Sequence, residues 1–247
     1  MNITIAGYGP VGQAHNALLQ EAHEIDIVDP AYAAWNFPIA EDTEAVIVCV
    51  PTPSNAGGGC EMKHVYEAIE ASPDVPILIK STISVEGWQM LVDTFPDKTI
   101  AFSPEFLRAD SAEQDLRSQE LILMGGKGCN FWAKIFDVKV EVCDPEALIL
   151  AKYARNSFLA LKVAYFNQLY DLCKALNVDY GAVAHYTVID PRIGDSHSVV
   201  TEERGFGGHC FPKDVEAIIK TADKSNIDLS IIKNAVNYNN TIRNKQH

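Results

Sequence analysis

Asn2-Ile3-Thr4-Ile5-Ala6-Gly7-Tyr8-Gly9-Pro10-Val11-Gly12 is the stretch that decides the fold of the N-terminal half. Its β-rich start runs straight into G-x-G-x-x-G, and an apolar periodicity of helical type continues to about Ala22. A second β-rich run, Glu24–Val28, ends at Asp29. Each piece has a physical task. Gly7 permits a tight turn, Gly9 lets the backbone approach a pyrophosphate, and Gly12 allows close helix–strand packing. The helix N-terminus then offers free N–H groups to the phosphates. Tyr8, Pro10 and Val11 complete the turn. Asp29 can accept hydrogen bonds from the adenosine ribose and would repel a 2′-phosphate, so NAD is preferred over NADP.

Outward from this unit, further short β-rich runs follow at Ala45–Val50, Val75–Lys80, Thr99–Phe102 and Leu121–Met124. Helical patterns separate most of them, which predicts a Rossmann-like parallel sheet wound with helices, an α/β fold. The link from Asp29 to Glu44 holds Pro30 and Pro38, with Pro51 just beyond, and leaves room only for a short connection. From Pro145 to about Asn177 apolar residues keep helical spacing with no internal glycine or proline, which predicts one long interdomain helix. Shorter helical patterns follow at Asp179–Tyr186, Pro212–Lys224 and Leu229–Arg243. The sequence therefore divides into a sheet domain, 1–144, and a mainly helical domain, 145–247, whose long helix can build a dimer face.

Bulk properties narrow the function. The 247 residues with 47% apolar content suffice for a packed core, and 20 basic against 33 acidic residues give a net charge of -13. Such a balance repels nucleic acids and anionic membrane surfaces. With neither a basic-apolar leader nor an apolar run of about 20 residues, a cytoplasmic location is expected. Cys49, Cys60, Cys129, Cys143, Cys173 and Cys210 form no CxxC pair and read as free thiols. Cys60 and His64 sit four apart without further ligands, so no metal is expected.

Several candidate sites lie downstream. Val50-Pro51-Thr52, Lys80-Ser81-Thr82 and Ser103-Pro104-Glu105-Phe106-Leu107-Arg108 all follow strands, at the carboxyl edge of the sheet where ligands bind. Lys152 and Asn156 are four apart on the long helix, so their heads can converge. In Gly205-Phe206-Gly207-Gly208-His209-Cys210-Phe211-Pro212-Lys213-Asp214, Pro212 suits a first helical turn. That puts Cys210 at a helix N-terminus, where the dipole favours a thiolate, with Asp214 one turn later on the same side.

Taken in order, G-Y-G-P-V-G, V-C-V-P-T-P, K-S-T, S-P-E-F-L-R, K-Y-A-R-N-S-F-L-A, D-P-R-I-G and G-F-G-G-H-C-F-P-K-D resemble the UDP-glucose/GDP-mannose dehydrogenase family through nearly the whole chain. The resemblance implies oxidation of a sugar-nucleotide C6 alcohol to a carboxylate with reduction of two NAD. It makes Cys210 the nucleophile of a thiohemiacetal and then a thioester, and Lys152 and Asn156 the stabilisers of the oxyanion. Asp214 and Thr82 would direct water and proton removal, and Glu105 would help hydrolyse the thioester. Lys213 and Thr82 would border the cofactor with Val50, Pro51 and Thr52. Phe106, Leu107, Arg108, Phe206 and Gly207 would border the substrate, and Arg192 would reach the site of a neighbouring subunit in a homodimer.

Three departures from the family pattern stand out. Members usually carry a C-terminal nucleotide-binding domain, whereas this sequence stops at His247 in what would be the connecting helix. A separate chain supplying that domain, or a smaller sugar substrate, is the expectation that follows. Ala109 and Asp110 replace the usual glutamate and glycine, and the link after Asp29 lacks the family's extra helix and strand. Two other readings compete. A 3-hydroxyacid dehydrogenase shares the layout and the lysine–asparagine pair but needs no cysteine. A catalytically impaired NAD-binding or subunit-pairing derivative fits the shortness.

Overall fold

The computed structural model describes residues 1–32, 39–54, 59–107, 111–208 and 210–243. In chain order the elements are β1 (Asn2–Ala6), α1 (Pro10–Leu19), β2 (Glu24–Val28), β3 (Ala45–Val48), α2 (Lys63–Ala71), β4 (Ile77–Ile79), α3 (Val85–Thr94) and β5 (Ile100–Phe102). They continue as α4 (Ala112–Arg117), β6 (Leu121–Gly126), α5 (Cys129–Phe136), β7 (Lys139–Val142), α6 (Pro145–Leu176), α7 (Tyr180–Val188), α8 (Cys210–Lys224) and α9 (Ser230–Arg243). The strands form one sheet in the order β2-β1-β3-β4-β5-β6-β7. This is the expected α/β fold.

The central strands β1, β3, β4 and β5 are buried on both faces, as apolar runs in a helix-covered parallel sheet must be. Ile3, Ile5, Ala45, Ile47 and Leu78 share one face with Met124, Trp132 and Phe136. That packing fixes register: Ile3 lies between Ile25 and Ala45. A slip of one residue would turn every side chain to the opposite face.

Two features depart from the sequence reading. β6 runs antiparallel to β5, pairing Phe102 with Gly125. The six-residue helix before it spans only ~9 Å, too little to carry the chain back to the sheet's amino edge. α4 instead packs on α1 through Ala14, Ala112 and Leu116, with Leu107 against them. The edge strand β7 is not among the expected strands, because Lys-Val-Glu-Val is only four residues long and half charged; among the described residues it pairs with β6 alone. Boundaries also shift: β3 stops at Val48, and α8 begins at Cys210 itself rather than at Pro212. In the link between β2 and β3 the described residues contain turns alone.

Backbone contacts divide the chain into two compact units, 1–56 with 60–152 and 57–59 with 153–247. The division falls inside α6. In the second unit a separate core gathers Ala160 and Ala164 of α6, Phe206, Val215 of α8, and Val236 of α9.

Candidate functional site

The turn between β1 and α1 is shaped by contacts that only glycine permits. Gly7 has φ +94°, and a Cβ there would stand 2.6 Å from the Cys49 carbonyl carbon. A Cβ on Gly12 would stand 2.2 Å from the Gly7 oxygen. Gly9 is different: it is the N-cap of α1, no side chain caps the helix, and a Cβ there would meet nothing within 4 Å. An uncapped helix N-terminus facing open space is a preformed anion site. Asp29 braces the turn, since its Oδ2 accepts from Tyr8 N (2.7 Å) and its Oδ1 from Ala31 N (2.8 Å). Two hydrogen bonds leave a carboxylate with acceptor capacity for ribose hydroxyls. The residues present therefore fit a dinucleotide.

The strand-end loops beside this turn are stitched together. Thr52 Oγ1 donates to the Thr82 carbonyl (2.7 Å), and Ser81 Oγ donates to the Val50 carbonyl (2.7 Å). Beyond β5, Glu105 Oε1 accepts from Phe106 N (2.8 Å) and Leu107 N (3.2 Å). Its Oε2 lies 3.2 Å from Lys80 Nζ, a pair with 5% and 3% side-chain exposure. Lys152 Nζ donates to the Glu105 main-chain oxygen (2.8 Å). Burial alone would raise the Glu105 carboxyl, but the charges of Lys80 and Lys152 outweigh it and hold the group below the usual carboxylate range.

His15, on α1, is fully buried among these charges. Its Nδ1 donates to the Val11 carbonyl (2.8 Å). Desolvation, reinforced by Lys80, lowers its pKa to about 4, so the ring is neutral at pH 7.

In the second unit the Asn156 amide donates to Asp214 Oδ2, and Lys213 Nζ lies 3.3 Å from Asp214 Oδ1. Asp214 is buried on the first turn of α8, while Cys210, the first residue of that helix, is exposed. The loop leading to Cys210 is held from two helices. Asn239 of α9 accepts from Phe206 N (2.6 Å) and donates to Phe206 O (3.1 Å). Asn167 Oδ1 of α6 accepts from Gly205 N (3.1 Å) and Arg204 Nε (2.8 Å). A Cβ on Gly207 would press on the Arg243 guanidinium at 2.8 Å. Arg192 is bonded to Asp190 with its side chain 88% exposed.

Of the expected site residues, Arg108 lies outside the described residues, as do Ala109, Asp110 and His209. His15, Asn167 and Asn239 escape sequence reasoning, and Lys80 and Ser103 stand in the strand-end blocks without a role of their own. A usable signal existed for Lys80, a cation closing the apolar run Val75–Ile79.

A Rossmann-type sheet with its glycine turn, followed by a long helix and a helical unit carrying a cysteine at a helix start, defines a nucleotide-binding α/β protein. Residues 36–137 match the UDP-glucose/GDP-mannose dehydrogenase family NAD binding domain, and residues 147–241 match that family's central domain. The chain belongs to the UDP-glucose/GDP-mannose dehydrogenase family. It is 32% identical over 217 residues to a UDP-glucose 6-dehydrogenase of Rickettsia felis, covering 81% of this chain and 48% of that protein. The chain thus spans about half the length of such curated relatives. A UDP-glucose dehydrogenase structure from Pyrobaculum islandicum superposes with TM-score 0.83 at 25% identity, over 97% of this chain and 68% of that one. A 3-hydroxyisobutyrate dehydrogenase of Mycobacterium tuberculosis gives TM-score 0.72 at 15% identity, over 96% of this chain and 92% of that chain, a likeness of fold alone.

Two measurements check the site. Gly12→Ala should cost about 1–3 kcal/mol in urea unfolding through the backbone clash. Gly9→Ala should leave stability unchanged within about 0.5 kcal/mol yet weaken NAD binding about tenfold, since its methyl group enters the space open to the pyrophosphate. His15 predicts a pH effect of defined sign. Its folded pKa lies below the unfolded value, so between about pH 6.5 and 4 the unfolded chain binds a proton that the folded chain does not. Stability attributable to His15 should therefore be intact above that window and fall on acidification, by up to about 1.4 kcal/mol per pH unit. His15→Gln should remove this slope from the urea-unfolding profile.

Proposed function

We propose that the chain carries the NAD-dependent oxidation of a sugar-nucleotide primary alcohol to its carboxylate, with Cys210 as covalent nucleophile. The observation that supports it best is the bond between Asn156 and Asp214. It joins the helix bearing Lys152 and Asn156 to the helix that starts at Cys210.

NAD, when bound, supplies the hydride acceptor. Gly7, Gly9 and Gly12 hold its pyrophosphate at the start of α1, Asp29 its ribose, and Val50, Pro51, Thr52, Thr82 and Lys213 border the rest. Asp214, through a water oriented with Thr82, takes the alcohol proton as C6 gives up a hydride, which leaves the aldehyde. The Cys210 thiolate, at a helix N-terminus, adds to the aldehyde to give a thiohemiacetal. A second oxidation converts this to a thioester, which water opens to the acid. Lys152 and Asn156, a cation and a neutral donor one turn apart on α6, stabilise the oxyanion at each stage. Phe106, Leu107, Arg108, Phe206 and Gly207 border the sugar.

The functional unit is a homodimer. Phe158, Tyr165, Leu172 and Leu176 are exposed along one stripe of α6, at intervals of seven, seven and four residues. A stripe of that kind seeks a partner helix. The exposed Arg192 then extends to the neighbouring subunit's site.

Purified protein with NAD and a panel of nucleotide sugars should release about two NADH per acid formed, because both oxidations precede release. Cys210→Ala should yield no acid, and Lys152→Ala should lower kcat on the order of 10²–10³-fold. Absence of NADH with every sugar, despite measurable NAD binding, would sink the reading. Light scattering should report a dimer that Phe158→Asp converts to a monomer; an unchanged mass would remove the α6 stripe as the interface.

A further inference from the structure

Lys80 has no part in the chemistry above, yet it is among the most deeply buried charges of the sheet unit. Its Nζ donates to Ser103 Oγ (3.0 Å) and lies 3.2 Å from Glu105 Oε2. The other carboxylate oxygen of Glu105 is taken by two successive backbone N–H groups, and the residue's carbonyl receives Lys152. A carboxylate held this way is a poor base: it is stabilised in its charged form and surrounded by donors.

We infer that Lys80 is a positioning residue, which keeps Glu105 ionised and turned inward so that Glu105 folds the 105–107 turn and aims its main-chain oxygen at Lys152. The functional half of this inference rests on the reading of Lys152 as the oxyanion cation; the structural half does not. It gives Glu105 an anchoring part in place of the part in thioester hydrolysis that the family resemblance implies. Among the described residues, the titratable groups facing the pair are His15 on α1, the Cys49 thiol after β3, pushed up to about 12 chiefly by burial, and Lys152 on α6.

The test compares wild type, Lys80→Met, Glu105→Gln and the double variant, each as the full chain. Glutamine keeps an acceptor for Phe106 N and Leu107 N and needs no counter-ion, so the double variant should be more stable than Lys80→Met. At pH 8 its folded-to-unfolded ratio should be larger by about tenfold or more. Without Lys80, the folded Glu105 pKa rises above its unfolded value, so Lys80→Met should regain stability as the pH falls from 8 to 5. Lys80 is missing from both of these variants, which leaves Glu105 as their only difference. Additive effects of the two substitutions at every pH overturn the inference.

With turnover established, Lys80→Met should lower kcat about tenfold, hold the KM for NAD within about twofold, and move the acid limb of kcat upward by about one pH unit. A kcat and pH profile equal to wild type overturn the positioning role. If the wild type makes no NADH with any sugar, the proposed function falls, and the unfolding comparison still decides whether Lys80 holds Glu105 ionised.

Discussion

The contact between Gly12 and the Gly7 carbonyl is the constraint on which the nucleotide half of the molecule depends. A helix can begin this close to the end of a strand only if neither residue carries a side chain at the crossing point. From that approach follow the uncapped amino end of α1, the bracing of the turn by Asp29, and the depth at which His15 of α1 lies. Charge that would be costly in an apolar core is tolerated here because Lys80 pairs with Glu105 and donates to Ser103, while Lys152 donates to the Glu105 carbonyl.

Much of this was legible in the chain because glycine, proline and alternating apolarity report local backbone demands. The parallel core strands, the glycine turn and the long α6 were each written in residues close in sequence. What escaped was decided by partners far along the chain. The direction of β6 depends on how short α4 is and on its seat against α1, and β7 exists only as an edge added to β6. Nothing close in sequence points to the part Lys80 plays, because its counter-charge lies 25 residues on, or to that of Asn239, whose partner, Phe206, lies 33 residues back.

The motif residues divide by physical task. Gly7, Gly12 and Glu105 are spent on holding backbone in place. Gly9 and Cys210 remain open to the outside. A motif read only as a list of contacts would miss that division, since the residues that make room and those that meet a ligand are interleaved within six positions of the glycine turn.

The grip of Asn239 on Phe206 also bears on how the molecule comes into being. The loop that leads to Cys210 is settled by side chains of α6 and α9, the latter through Asn239, 33 residues along the chain from Phe206. Closing such a span costs chain entropy before any contact rewards it. During synthesis, then, α6 can fasten Arg204 and Gly205 as soon as the loop emerges, whereas Phe206 waits for α9, so the loop before the proposed nucleophile gains its final setting only after α9 has docked.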